Sequence, residues 1–145
     1  MDKKIVLSVP AKIENNTEVI DYIDEYLENN GCPMREKMQV VVAIDEIVTN
    51  IASYAYENAE GLPEDLKLTI VEIELTAEGV SLTFVDNGTP YNPLENEDPD
   101  ITLSAEERGI GGLGIFMVKK SMDKVEYSYE NNQNRLKITK NFPVQ

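Results

Sequence analysis

The alternation of apolar and polar positions along the chain predicts five β-strands. Residues 5–9 alternate with a period of two until Pro10, which is typical of a strand with one buried face. Glu78 and Gly79 join two β-rich runs into a predicted hairpin, and an Asn-Asn pair provides the turn between the last two strands. The predicted strands comprise residues 5–9, 66–75, 80–85, 124–130 and 135–142.

Apolar residues spaced three or four positions apart predict three helices. The first helix follows the capping oxygens of residues 15–17 and extends to Asn30, where a glycine ends it. The second opens after Pro33, because a proline in a first turn loses only an unpaired donor, and it covers residues 34–56. The third covers residues 112–122.

The order of these elements predicts the fold class. Helices are grouped apart from mostly consecutive strands, and this favours a two-layer α/β sandwich in which helices cover one face of a mixed, largely antiparallel sheet. The 145 residues contain no internal repeat and have the length of one domain. Residues 86–109 keep no hydrophobic period, so they predict a long loop of the kind that forms lids or binding loops.

Composition and charge exclude several classes of function. Acidic residues outnumber basic residues 27 to 13, and the net charge of −14 disfavours binding to nucleic acid or to anionic lipid. The chain has no histidine, which excludes histidine catalysis, histidine metal ligands and phosphohistidine. One cysteine cannot form an internal disulfide, and neither a signal peptide nor an apolar run of about 18 residues occurs. We therefore expect a cytoplasmic protein without a membrane span.

A narrow polar strip interrupts the second helix in the stretch AIDEIVTN. Glu46 and Asn50 lie four residues apart and thus one turn apart on one face, flanked by Asp45 and Thr49. The strip could be an ordinary solvated face. Exposed helix faces, however, usually mix lysine, arginine and glutamate, whereas this strip offers only short oxygen-bearing groups, which suit Mg²⁺.

Two further motifs could bind parts of a nucleotide. Asp86 ends an apolar strand and is followed by an Asn-Gly turn. It belongs either to an ordinary turn or to a site where its carboxylate accepts a hydrogen bond from an amino group such as that of adenine. The stretch RGIGGLG, residues 108–114, places four glycines before a helix, so that backbone N–H groups and the helix dipole could bind an anion. Such a site would let an acidic protein bind phosphate.

These motifs occur in an order that resembles a known family. Glu46 and Asn50, then Asp86 and Gly88, then the glycines of residues 109–114 resemble the N, G1 and G2 boxes of the GHKL (Bergerat-fold) ATPases. Within that superfamily, the short chain and the stretches DEIVTNIASYAY, DNGTPYNP and GGLGIFMVKKSMDKVEY are most similar to the stand-alone anti-sigma factor serine/threonine kinases.

The resemblance implies a role for each motif residue. Asn50 would hold Mg²⁺ between the phosphates, and Glu46 would be the catalytic general base for an incoming hydroxyl. Asp86 would bind the adenine amino group, and Gly88 would keep the loop open. Further ATP-binding positions in the glycine loop would be Gly109, Gly111, Gly112, Leu113 and Gly114.

The resemblance also implies that residues 1–145 form a single histidine-kinase-like ATPase domain with an ATP lid of about residues 87–111. Arg108 is the first base after a run of acidic residues in this lid. It could bind a terminal phosphate or a partner, or it could simply be solvated. Many GHKL proteins place a late-strand threonine against adenine; here the comparable position is near Arg135 and only Thr139 follows, so none is assigned.

The implied function is that of an anti-sigma factor with kinase activity. Such a protein uses ATP and Mg²⁺ to phosphorylate an anti-anti-sigma (STAS-domain) protein, sequesters an RNA polymerase sigma factor in its other state, and is typically a homodimer. A different function would be that of a nucleotide-gated protein-binding module without phosphotransfer, which would not need a base at Glu46. The motifs could also belong to an ATPase-like subunit of a histidine phosphorelay, with the histidine on a partner, or occur by coincidence in a structural domain.

Overall fold

A computed structural model of the chain describes residues 3–95 and 113–143. Its five strands are β1 (Lys3–Pro10), β2 (Leu68–Leu75), β3 (Gly79–Asp86), β4 (Lys124–Glu130) and β5 (Gln133–Asn141). They form one sheet in the order β1-β2-β3-β5-β4. Each pairing is antiparallel, so the largely antiparallel sheet predicted from the sequence is confirmed, and the described strands contain no parallel pair.

Three α-helices cover one face of this sheet, which confirms the predicted two-layer sandwich. They are α1 (Asn16–Asn29), α2 (Met34–Asn50) and α3 (Leu113–Ser121). Gly31 separates the first two helices with a φ of 78°, a left-handed conformation that glycine adopts without strain. Within the described ranges, none of the helices is long and apolar enough to cross a membrane.

The long second helix changes its geometry near the end. The α-helix stops at Asn50 and continues as a π-helical turn, Ile51–Ala55, where the sequence predicts an α-helix to residue 56. Turns of this kind are frequent at functional sites. The Ala55 carbonyl oxygen at the end of this turn accepts a hydrogen bond from the backbone N–H of Thr89, at 3.3 Å. The end of the second helix is thereby joined to the loop that follows β3.

The core lies between the helices and the sheet. The apolar residues of the alternating pattern that predicts the strands are the ones that fill it. Alternate residues of β2 and β3 are buried against α1 and α2, which contribute apolar side chains at helical spacing. The largest fully buried side chains are Phe84, Ile23, Leu27, Ile44, Ile73, Leu82 and Ile138. The apolar face of α2 therefore fixes the direction in which its polar strip points.

The opposite face of the sheet is not covered by these helices. Val6 is exposed there, between the half-buried Ile5 and Leu7 of β1. Arg135 binds Glu72 across this face, with 2.6 Å between Nη2 and Oε1. A concavity of about 370 Å³ on the same face is lined by charged and hydroxyl side chains, and it lies on the other side of the sheet from the polar strip of α2.

Candidate functional site

The polar strip of α2 faces the start of α3. Glu46 and Asn50 are half-buried, whereas the neighbouring Asp45 is exposed. A Cβ atom added to Gly114 would lie 2.0 Å from the Cδ atom of Glu46 and 2.2 and 2.3 Å from its two carboxylate oxygens. The first turn of α3 thus packs directly against the Glu46 carboxylate, and a side chain at position 114 would displace that carboxylate. An ordinary solvated face does not account for this contact.

Asp86 occupies the end of β3, where it is buried. Its Oδ1 atom accepts hydrogen bonds from the backbone N–H of Gly88 and from Nδ2 of Asn134, both at 2.9 Å. Burial raises the pKa of the Asp86 carboxyl, although these two hydrogen bonds lower it in part. Oδ2 accepts no hydrogen bond from the described residues, so one oxygen of a buried carboxylate remains available to a donor from a ligand.

Gly88 allows the turn after β3 to pack closely against the end of the π-helical turn. A Cβ atom at this position would lie 2.1 Å from the Ala55 carbonyl oxygen and 3.0 Å from Oδ1 of Asp86. Because the first of these atoms belongs to the backbone, a side chain could enter only if the main chain moved. The Asp86 turn is therefore built against the second helix and differs from an ordinary surface turn.

Asn134 completes the surroundings of Asp86, and sequence reasoning missed it. It lies directly opposite Asp86 in the pairing of β3 with β5, and Nδ2 also donates to the carbonyl oxygens of Thr89 and Gly88 at 2.9 and 3.4 Å. Its Oδ1 atom accepts from the backbone N–H of Tyr91 at 3.0 Å and from the hydroxyl of Tyr127. Only the register of the two strands identifies this residue.

The two positions considered for a late-strand threonine lie elsewhere. Arg135 points to the uncovered face of the sheet, where it binds Glu72. Thr139 also lies away from Asp86, with its hydroxyl 3.5 Å from that of Ser81. Neither residue serves as that threonine, and an asparagine, one position before Arg135, contacts the aspartate instead.

Tyr56 connects the end of the second helix to the Asp86 turn. Its hydroxyl accepts hydrogen bonds from the backbone N–H groups of Leu68 at 3.1 Å and Asn87 at 2.9 Å, and it donates to the Leu68 carbonyl oxygen. Burial raises the pKa of Tyr56 to about 12, so the hydroxyl stays protonated near neutral pH. One side chain thus holds the segment after Asn50 against the residue that follows Asp86.

Part of the predicted site lies outside the described residues, including most of the predicted ATP lid. The predicted ATP-binding positions there are Arg108, Gly109, Gly111 and Gly112. Leu113 and Gly114 open α3, so the glycine loop does lead into a helix. The start of the lid, up to Glu95, is described and ends in a 3-10 helical turn, Pro93–Glu95.

The described groups fit the parts of a nucleotide. A buried carboxylate with a free oxygen suits an amino donor, and the amide oxygen of Asn50 suits Mg²⁺. The N-terminus of α3, beside Glu46, suits an anion. The described residues contain no cluster of three or more acidic or cysteine side chains that could hold a metal alone, so a Mg²⁺ ion would need ligands from the nucleotide and water.

Comparisons with known proteins point to one family. The family model for the histidine kinase-like ATPase domain matches residues 9–140. The chain is 27% identical to an anti-sigma F factor of Clostridium perfringens (strain SM101 / Type A), over 92% of this chain and 91% of the relative. It is 25% identical to the serine/threonine-protein kinase BtrW of Bordetella bronchiseptica, over 94% and 93% of the two chains.

A solved structure shows the same fold. The RsbU and RsbW domains of a Mycobacterium tuberculosis protein match with a TM-score of 0.67 and 16% identity, over 99% of this chain and 34% of that longer chain. The family predicted from the sequence is confirmed by the match to the family model, which spans most of the chain. The protein belongs to the histidine kinase-like ATPase domain family.

Proposed function

We propose that this protein is an anti-sigma factor with ATP-dependent protein serine/threonine kinase activity. It phosphorylates a hydroxyl of an anti-anti-sigma (STAS-domain) protein and, in its other state, sequesters an RNA polymerase sigma factor. The observation that carries this proposal is the position of Glu46, whose carboxylate has no hydrogen-bond partner among the described residues and lies against the first turn of α3. The names of the two relatives, an anti-sigma factor and a protein kinase, support the same function.

Glu46 acts as the general base in this reaction. It accepts the proton of the serine or threonine hydroxyl while the hydroxyl oxygen bonds to the γ-phosphorus of ATP. The bond from that phosphorus to the bridging oxygen breaks, and ADP leaves with the electron pair. Phosphoryl transfer needs mainly positioning and charge neutralisation, so no covalent intermediate on the protein is required.

The nucleotide lies between the second helix and the Asp86 turn. The free oxygen of Asp86 accepts a hydrogen bond from the adenine amino group, and the phosphates bind at the glycine loop before α3. Asn50 supplies one oxygen to Mg²⁺, which neutralises charge on the phosphates when it is bound. Local dipoles and this ion let the phosphates bind despite a net charge of −14 on the protein.

An exposed apolar ridge supports a protein as the phosphate acceptor. Met34, Met38 and Val42 are each at least 60% exposed and follow one another at intervals of four residues. The next residues of this series are Glu46 and Asn50, so the ridge leads along α2 to the proposed base. Met34 lies about 18 Å from Glu46 along the helix axis. A protein interface of standard size covers a patch with a radius of about 16 Å on each partner, so a patch centred on Glu46 would include most of the ridge.

The apolar ridge also offers a docking surface that carries no acidic side chain on a strongly acidic protein. A surface with 27 acidic residues repels another acidic protein, and uncharged side chains near the base allow contact without a paired charge. Methionine side chains adapt to the surface of a partner. We place the STAS-domain protein on this ridge. The sigma factor and the homodimer contact are expectations that follow from the family, and the cytoplasmic location is an expectation from the sequence.

Phosphotransfer tests the proposed function. The protein would be incubated with Mg²⁺, γ-labelled ATP and the STAS-domain proteins of its own genome, beside a Glu46→Ala control. Label on a serine or threonine of one of these proteins, absent with Glu46→Ala, is the expected result. ATP binding without transfer to any of them would contradict kinase activity and favour a nucleotide-gated binding module.

A further inference from the structure

Three buried polar side chains form a row across the sheet at the proposed adenine site. Thr69 on β2 lies opposite Asp86 on β3, which in turn lies opposite Asn134 on β5. Directly opposite residues project from the same face of an antiparallel sheet, with Cβ atoms about 5 Å apart. The three residues are 1%, 7% and 6% exposed, on the face of the sheet that is otherwise apolar.

Thr69 differs from its two neighbours because none of the described residues binds its hydroxyl. Asp86 and Asn134 are hydrogen-bonded to each other, and Asn134 binds the adjoining loop as well. The Oγ1 atom of Thr69 is buried and has no hydrogen-bond partner in the described part of the chain. An unpaired buried hydroxyl lowers stability, and most buried polar groups in native proteins have a hydrogen-bond partner in the protein or in ordered water. The Thr69 hydroxyl is therefore suited to bind an ordered water.

We propose that Thr69 is a specificity-determining residue for the purine base. This inference rests on the proposed function, since it assigns a further residue to the same ATP site. The Thr69 hydroxyl and the free oxygen of Asp86 bind one ordered water, which donates a hydrogen bond to the adenine ring nitrogen beside the amino group. Hypoxanthine carries a hydrogen on that nitrogen and a carbonyl in place of the amino group, so it cannot accept this bond.

If Thr69 served only in packing, loss of its hydroxyl would leave the affinity for ATP unchanged. Valine has the same shape and removes only the hydroxyl, so Thr69→Val relieves the unpaired group in the free protein. Serine keeps the hydroxyl and removes a methyl group from a buried position. The two variants therefore separate a role in base recognition from a role in packing.

Equilibrium binding tests this inference without any transfer reaction. Titration calorimetry would measure the affinities of wild type, Thr69→Val and Thr69→Ser for ATP and for inosine triphosphate with Mg²⁺. Urea unfolding of the free proteins would accompany it. Thr83→Val is the matched control, because Thr83 lies on the same strand as Asp86 but lines the uncovered face.

We expect Thr69→Val to weaken ATP binding about tenfold and inosine triphosphate binding much less, while the free protein stays at least as stable as wild type. Thr69→Ser should keep the preference for ATP, and Thr83→Val should change neither affinity. If wild type binds ATP and Thr69→Val binds it equally well, the role of Thr69 is wrong and the proposed kinase stands. If wild type does not bind ATP, the proposed function itself fails, and this inference with it.

Discussion

The carboxylate of Glu46 occupies the space in which a side chain at position 114 would begin. Gly114 opens α3, and the nearest atoms to its hypothetical Cβ are all in the Glu46 side chain, at 2.0 to 2.3 Å. The base proposed from the second helix and the glycine proposed from the phosphate loop are therefore in direct contact. Two residues that are far apart in the chain are thus adjacent in the candidate site.

Gly114→Ala should impair catalysis far more than folding. The new methyl group would push the end of a flexible glutamate aside, and alanine favours a helix over glycine by about 1 kcal/mol. We expect the free energy of unfolding in urea to change by less than about 1 kcal/mol. Phosphotransfer should fall at least about tenfold, because the base is displaced.

The matched control for this variant is Gly61→Ala, since a Cβ added there has no atom within 4 Å apart from its own residue and its chain neighbours. It should transfer phosphate at the wild-type rate. An unchanged rate in Gly114→Ala would show that the position of the Glu46 carboxylate does not matter for the reaction.

Asp86→Asn should make folding less dependent on pH while it weakens ATP binding. Below the ordinary Asp pKa of 3.8, the group is protonated in both folded and unfolded protein. As the pH rises from there through the raised pKa of the folded protein, wild type loses stability because the unfolded chain ionises first. Asparagine does not ionise. The free energy of unfolding of the variant minus that of wild type should therefore rise over this pH interval and then stay constant.

The same variant should weaken ATP binding by about tenfold or more, because an amide would present a donor or a neutral oxygen where the carboxylate accepts a charged hydrogen bond. Calorimetric titration measures this loss. A stability difference between wild type and variant that does not change with pH would contradict the assignment of Asp86 as a carboxyl whose pKa is raised by burial.

Much of the fold follows from the sequence because each strand has one buried face and each helix one apolar face. The breaks in these patterns at Glu46 and Asp86 also indicate the candidate site, because a carboxylate in an otherwise apolar element is costly to bury without a partner. The sequence does not reveal Asn134 or Thr69, because only the register of the strands places each of them opposite Asp86. The π-helical turn is likewise hidden, since residues 51–55 have no composition that separates them from an α-helix.

Tyr56→Phe should destabilise the protein and loosen the Asp86 turn. The substitution removes the hydroxyl that binds two backbone N–H groups and one carbonyl oxygen, and unpaired backbone groups cost about 1 to 3 kcal/mol. We expect a loss of that size in urea unfolding, with faster hydrogen exchange at the amide of Asn87. Tyr54→Phe, at an exposed tyrosine two residues earlier, should change stability by less than about 0.5 kcal/mol. Equal effects of the two variants would contradict the role assigned to Tyr56.

Met38→Glu should weaken the recognition of the acceptor protein without affecting the nucleotide. Met38 lies about 12 Å from Glu46 along α2, and glutamate keeps the helix while it adds a charge to the apolar ridge. We expect kcat/KM for the acceptor to fall about tenfold with an unchanged affinity for ATP. Val6→Glu adds the same charge on the uncovered face of the sheet and should leave kcat/KM unaltered. Equal rates for both variants would show that the acceptor docks elsewhere.

The most direct test of Glu46 as the base is a single-turnover comparison of wild type and Glu46→Gln with a STAS-domain acceptor. Intact-protein mass spectrometry would follow the gain of one phosphate on the acceptor, and calorimetry would measure the ATP affinity of both proteins. We predict that Glu46→Gln binds ATP within about threefold of wild type but transfers phosphate at least about a hundredfold more slowly. Transfer by Glu46→Gln at the wild-type rate would contradict the assignment of Glu46 as the base of a kinase.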